Sequence, residues 1–308
     1  MKNKVTVIGA GNVGATCGLL LAMRNLCDVV LIDIPAMENP TKGKALDIAQ
    51  AAATLGFEGR VTGGSDYAMS EGSDIVVLTA GLARKPGMDR LDLLRKNADI
   101  VKDCVENAVK HSPDCKIIVV TNPIDVMVYH AWKICGFPAE RVFGQAGVLD
   151  SSRYATFVSM EMNTSIREIS AMVLGGHGDS MVPLPRFTTV AGVPITELLP
   201  AERIAAMNER TAKGGGEIVQ LLGTGSAYYA PAASTVKMVA AVLQDTKAIL
   251  PCSTLLSGQY GISDVFVGVP VKLGARGVEE ILELPLKPDE LSALQKSAAI
   301  YVKSIAEL

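Results

Sequence analysis

The sequence predicts a doubly wound parallel α/β sheet joined to a second, α+β unit, and three observations carry that expectation. Short, unbroken β-branched runs alternate with longer helix-patterned stretches through the first half of the chain. A glycine-rich turn stands where the first of those runs meets the first helical pattern. After about Gln145 the alternation gives way to helices, short strands and turns marked by Pro and Gly. Serial strand–helix–strand order is what a mainly parallel sheet with helices packed on it requires. The expected units are therefore 1–145 and 146–308.

Residues 5–8 (VTVI), 29–32 (VVLI), 75–78 (IVVL) and 117–120 (IIVV) are continuous runs of strand length, the pattern of strands covered on both faces. Between the first two, Val13, Cys17, Leu20, Leu21 and Arg24 follow helical spacing, and the apolar members form one stripe. Further helices are predicted over 41–55 and 90–111. In the second half a helix at 151–162 leads to a strand-like stretch at 166–173. Thr188-Thr189-Val190, Ala191-Gly192 and Val193-Pro194-Ile195 then read as a hairpin. Helical patterns follow at 201–222 and 227–243, then a strand over 264–273. Leu291, Leu294, Ala298, Val302 and Ile305, spaced by three and four, mark a closing amphipathic helix.

Composition narrows the function. The chain has 308 residues, 49% of them hydrophobic, which is ample for a core. The formal net charge is -3 and neither half is basic, so nucleic acid and anionic membranes gain no electrostatic support as partners. The longest apolar run, GLLLAM at 18–23, is too short to span a bilayer. The N-terminal MKNKVTVIGAG passes from lysines into a strand without an apolar leader, and a cytoplasmic protein is expected. Cys17, Cys27, Cys104, Cys115, Cys135 and Cys252 lie in apolar or helical surroundings, with no CxxC and no zinc-type spacing. They read as small buried hydrophobes in a reducing compartment, and no metal site is expected.

The glycine-rich turn is Gly9-Ala10-Gly11-Asn12-Val13-Gly14, at a strand-to-helix junction. There Gly9 suits a tight turn, Gly11 lets backbone approach a pyrophosphate, and Gly14 lets helix pack close to strand. The helix N-terminus adds unpaired N–H groups and a positive dipole end. Nineteen positions after Gly14, at the end of the next strand, Asp33 can accept from a ribose hydroxyl and would repel a 2′-phosphate. A Rossmann dinucleotide site that favours NAD over NADP follows.

Proton transfer near neutrality usually calls on histidine, and the chain has only His111, His130 and His177. His111 ends a predicted helix beside Ser112-Pro113 and suits capping or solvent. His130 lies mid-helix beside the single tryptophan, Trp132, and suits packing. His177, in Gly175-Gly176-His177-Gly178-Asp179-Ser180, follows a strand with glycine on both sides, which should leave its imidazole accessible. Cations accompany it. Arg95 and Lys96 suit a solvated helix face, whereas Arg84 and Arg90 flank the Pro86-Gly87 turn, where a lid could carry them onto an anion. Asp150 and Arg153 lie three apart on one helical turn. Three arginines and a His–Asp pair fit a substrate with two carboxylates and a reducible carbonyl.

With these motifs in place, the sequence resembles the NAD-dependent lactate/malate dehydrogenase family over essentially its whole length. The resemblance is carried by GAGNVG (9–14), ARKPGMDR (83–90), TNPID (121–125), LDSSR (149–153), GGHGDS (175–180) and GSAYYAPAAS (225–234). It implies that His177 accepts the proton in hydroxy-acid oxidation and donates it in reduction, with Asp150 bonded to its other ring nitrogen. It implies that Arg153 grips the carboxylate beside the carbonyl and that Arg90, brought in by a lid, polarises the carbonyl. Asn122 would hydrogen-bond the substrate beside the nicotinamide, while Asn97, Val120 and Thr121 would border the cofactor. Apolar subunit contacts, and so a homodimer or homotetramer, are also expected.

Within the family Arg84 selects the substrate. Lactate enzymes typically carry a neutral Gln at the matching place, whereas Arg84 would pair a second carboxylate, as in malate and oxaloacetate. Pyruvate would leave it buried and unpaired, at a cost of about 3–5 kcal/mol. Gly176 agrees, since lactate enzymes often carry Glu before the histidine. Two other readings are a lactate or other 2-hydroxy-acid dehydrogenase that tolerates Arg84, and a catalytically silent NAD-binding sensor.

Overall fold

The computed structural model describes residues 3–82 and 90–308, with Arg90 described by its backbone alone. In the first half β1 (Asn3–Ile8), α1 (Asn12–Arg24), β2 (Cys27–Ile32), α2 (Glu38–Gln50), α3 (Ala52–Leu55) and β3 (Val61–Gly64) follow in order. Then come β4 (Ile75–Leu78), α4 (Arg90–His111), β5 (Lys116–Val119), α5 (Ile124–Cys135) and β6 (Val142–Gly144). The second half opens with α6 (Gly147–Met162) and five short strands: β7 (Ile169–Ser170), β8 (Val173–Leu174), β9 (Val182–Pro183), β10 (Thr189–Val190) and β11 (Val193–Pro194). It closes with α7 (Ala201–Leu222), α8 (Tyr229–Leu243), β12 (Ala248–Ser257), β13 (Ser263–Gly274), β14 (Gly277–Ile281) and α9 (Pro288–Ile305).

The main sheet has nine strands in the order β14-β13-β12-β6-β5-β4-β1-β2-β3. β3 through β6 run parallel, Val5 pairing with Val29 on one side and Ile75 on the other. All four β4 side chains are at most 1% exposed, as unbroken apolar runs require when both faces are covered. α1 packs against α2 and α8, while α4 packs against α5, which also meets α9; these are the helical layers of the expected α/β fold. The sheet continues past residue 145: β12 joins it antiparallel to β6 through Ser253 and Gly144, and β13 and β14 extend it. A smaller apolar cluster of Tyr154, Val158, Val173, Met181, Ile195, Ile204 and Met207 unites α6, α7 and the short strands.

Several boundaries differ from those the sequence predicts. The second helix begins at Glu38 rather than 41, because Pro40 falls in its first turn, where no N–H donor is needed. The strand expected over 166–173 is a 3-10 turn at Ile166–Glu168 followed by two two-residue strands. The hairpin forms as β10 and β11, with Ala191 and Gly192 both at positive φ. β3, β6, β9, β12 and β14 are strands that the sequence pattern does not predict.

α1 lies so close to the end of β1 that a Cβ on Gly14 would stand 1.8 Å from the Gly9 carbonyl oxygen. Alanine would gain up to about 1 kcal/mol of helix propensity over glycine, less than the overpacking penalty of about 1–3 kcal/mol. Gly14→Ala is therefore expected to lower stability by about 1–2 kcal/mol in urea unfolding; an unchanged midpoint would contradict the contact.

Candidate active site

Strand order reverses beside β1 and β4, and the loops leaving their C-terminal ends open the crevice where such sheets bind ligands. Gly9 makes the turn out of β1 at φ +96°, with Ala80 N only 2.5 Å from where a side chain would begin. On Gly11 a Cβ would meet nothing within 4 Å, so the outer side of the loop is open to a ligand. Gly11, Asn12 and Val13 are exposed or half-buried there, and α1 begins without a side-chain cap, leaving its first N–H groups for an anion. A pyrophosphate fits this cradle.

Ala10 is held at both ends. Its N–H donates to Asp33 Oδ2 at 2.7 Å, and its carbonyl accepts from Lys44 Nζ at 2.5 Å. Asp33 Oδ1 accepts from the Ile34 N–H at 2.8 Å. Each carboxylate oxygen keeps a lone pair, so the half-buried Asp33 can still accept from a ribose hydroxyl. Lys44 had no sequence signal beyond its place on α2.

Farther along the crevice, Thr121 and Val120 are buried at the end of β5, with Thr121 Oγ1 donating to the Ala80 carbonyl at 2.6 Å. Asn97, 1% exposed, works as a brace: its amide donates to Asn122 O at 2.8 Å and accepts from Leu82 N at 2.8 Å. It thus ties the loop after β4 to the loop after β5. Asn122 is exposed at the same edge. Arg84 lies outside the described residues; Arg90 opens α4, and its side chain also lies outside them. Arg95 and Lys96 are exposed, as a solvated helix face requires.

The second half contributes the charged centre. Asp150, in the first turn of α6, is 1% exposed. Its Oδ2 accepts from His177 Nδ1 at 3.0 Å and its Oδ1 from Arg153 Nη1 at 3.4 Å. Nε2 of the imidazole is thereby left to exchange a proton. Contrary to the expected accessibility, the His177 side chain is only 13% exposed, because the loop that carries it is packed from three sides. Burial alone would lower the imidazole pKa, and Arg153 acts in the same direction. The charge and hydrogen bond of Asp150, with help from Asp125, outweigh them and raise it above the ordinary histidine value. Arg153 carries the opposite strain. Burial lowers its pKa, and its Nε is buried without a hydrogen-bond partner. A buried guanidinium in that condition needs an anion.

The residues that hold the loop were not assigned roles by the sequence. Gly175 and Gly268 of β13 exchange backbone hydrogen bonds at 2.9 and 3.1 Å. Gly176 N–H donates to Ser297 Oγ at 2.9 Å, and Tyr301 Oη donates to the His177 carbonyl at 3.3 Å, both from α9. Asp125 Oδ2 accepts from the His177 N–H at 2.8 Å. A Cβ on Gly176 would sit 1.8 Å from the Tyr301 ring, so glycine is needed there for packing in addition to any role in substrate choice. The other histidines fall where expected: half-buried His130 bonds the Ala98 carbonyl at 3.1 Å, and His111 ends α4. Five of the six cysteines are buried and Cys135 is half-buried; burial pushes the Cys17 thiol up to about 12.

Known proteins match this arrangement across its full length. The family model for the lactate/malate dehydrogenase NAD binding domain covers residues 3–144, and that for the lactate/malate dehydrogenase alpha/beta C-terminal domain covers 147–308. A malate dehydrogenase of Roseiflexus sp. (strain RS-1) is 54% identical over 308 residues, 100% of this chain and 99% of that one. The solved malate dehydrogenase from Salinibacter ruber is 48% identical with a TM-score of 0.94, covering 99% of this chain and 97% of its own. The lactate dehydrogenase of Cryptosporidium parvum, solved with lactic acid and nicotinamide adenine dinucleotide, is 41% identical with a TM-score of 0.95, over 99% and 98% of the two chains. Phosphate cradle, buried His–Asp–Arg centre and full-length matches agree: the chain belongs to the lactate/malate dehydrogenase family.

Proposed function

We infer that the chain catalyses the reversible, NAD-dependent oxidation of (S)-malate to oxaloacetate. The observation that carries this reading is the buried Asp150 carboxylate shared by an imidazole and a guanidinium whose Nε has no partner. It supplies a proton carrier and an anion site on one helical turn and the loop against it. Bound NAD supplies the hydride acceptor. His177 takes the hydroxyl proton in oxidation and returns it in reduction. Asp150 fixes the ring tautomer and stabilises the imidazolium. Arg153 pairs the carboxylate next to the reacting carbon, which satisfies its desolvated charge. Arg90 opposes the negative charge that develops on the carbonyl oxygen, and Asn122 hydrogen-bonds the substrate. Gly9, Ala10, Gly11, Asn12, Val13 and Gly14 hold the dinucleotide phosphates, and Asp33 holds a ribose. Asn97, Val120 and Thr121 shape the nicotinamide end, Asn97 through the backbone it braces.

The fold does not choose between keto acids, since a lactate dehydrogenase matches it as well as malate dehydrogenases do. Arg84 and the relatives named malate dehydrogenase favour the dicarboxylate; glycine at 176 is already required by the Tyr301 ring and adds no weight. The units 1–145 and 146–308 belong to the same reading: the first carries the cofactor loops with Arg84, Arg90 and Asn122, and the second carries Asp150, Arg153 and His177. Among the described residues no helix is long and apolar enough to cross a membrane, and a cytoplasmic location fits this reading. A homodimer or homotetramer belongs to the same proposal; light scattering that gives a monomer would refute it.

His177→Ala is expected to keep NADH binding, seen by fluorescence, while turnover falls about 10²–10⁴-fold; retained turnover would overturn the role of His177. In Arg84→Gln the preference for oxaloacetate over pyruvate should fall by about two decades or more, followed by nicotinamide absorbance with the two acids. Faster pyruvate than oxaloacetate turnover by the unaltered protein would favour the lactate reading. Turnover of neither would favour a silent NAD-binding sensor.

A further inference from the structure

The reading of His177 as the proton carrier leaves unexplained why a second carboxylate is buried against it. Asp125 is 0% exposed in the first turn of α5, and both of its oxygens are taken by neutral donors. Oδ2 accepts from the His177 N–H at 2.8 Å, and Oδ1 accepts from Ser253 Oγ at 2.7 Å. Asparagine could hold the same two neighbours, accepting from the N–H and donating to the hydroxyl, without a charge to desolvate. A carboxylate in a dry site is costly unless its charge is used. Among the described residues no lysine or arginine pairs with it, and the cation whose field it feels is His177.

We propose that Asp125 is a positioning residue for the reaction: with Ser253 it fixes the backbone of His177 and supplies a second negative charge to the imidazole. The charged and titratable groups facing the pair are Asp150 and Arg153 from α6 and the Tyr301 hydroxyl from α9, while β12 brings the neutral Ser253. Burial pushes the Asp125 carboxyl up to about 6, against the hydrogen bonds from Ser253 and His177, toward the ordinary histidine range. Two such groups titrate as a coupled pair. The sign follows: ionised Asp125 makes His177 hold its proton more tightly. Oxaloacetate reduction then persists to higher pH, and malate oxidation rises only as pH passes the raised imidazole value.

The test is an NMR titration of the His177 ring in the full-length protein, assigned by loss of its signal in His177→Ala, beside pH–rate profiles in both directions. Asp125→Asn is expected to lower the His177 midpoint by about half a pH unit or more and to move both profiles down with it. Ser253→Ala leaves the carboxylate but removes one donor, so Asp125 stays protonated to higher pH; a smaller downward shift is expected. That variant carries the test if the asparagine protein does not fold. A midpoint unmoved in the folded variants, even with kcat reduced, would overturn the proposal and leave Asp125 a purely structural group. A shifted midpoint in a protein that does not reduce oxaloacetate would instead refute the assigned reaction and leave this link standing.

Discussion

One buried carboxylate sets the terms for the rest of the site. Asp150 is almost wholly removed from water and is shared by an imidazole and a guanidinium, so its charge is balanced only while both neighbours stay in place. Breaking such an arrangement by losing one partner leaves an uncompensated charge, which is far more costly than losing an exposed ion pair. The geometry of α6 and of the loop around His177 is therefore dictated by electrostatics as much as by packing. Asp150 and Arg153 sit one helical turn apart because that spacing lets one helix present both charges to one pocket.

The histidine loop shows how a segment free of regular structure is made rigid. β13, α9 and α5 each hold it by hydrogen bonds to its backbone, and the Tyr301 ring closes against Gly176. A proton-transferring group must keep its orientation to within a fraction of an ångström to be useful. Here the imidazole is fixed through its Nδ1 and through the peptide that bears it.

Strands buried on both faces were legible because their residues are almost all apolar or β-branched, as in VTVI at 5–8 and IVVL at 75–78. The strands that escaped notice have physical reasons to do so. β3 is Val-Thr-Gly-Gly and looks like a turn, and β6 is only three residues long. β12 interrupts its apolar residues with Pro251, Ser253 and Thr254, and Pro251 faces Pro270 on β13. In the site, His177, Asp150 and Arg153 were legible through rarity and helical spacing. Asp125 closed a recognisable motif that gave it no task. Its bond to His177 spans 52 positions, and that of Ser297 to Gly176 spans 121, separations at which local pattern carries no information. Lys44 escaped for the same reason, since only the folded chain brings α2 to the Ala10 carbonyl.

The main sheet runs unbroken from strands of the first half into strands of the second, joined where β6 meets β12. The halves divide the chemistry between them without being separable modules. Severed near residue 145, the first would end on the unpaired edge of β6 and the second would bare the long edge of β12, both apolar templates for aggregation. Recombination between relatives is thus constrained to exchange the whole sheet. A hinge between the halves would have to break the pairing of Gly144 on β6 with Ser253 on β12, so segments outside the sheet are the ones free to move around a ligand.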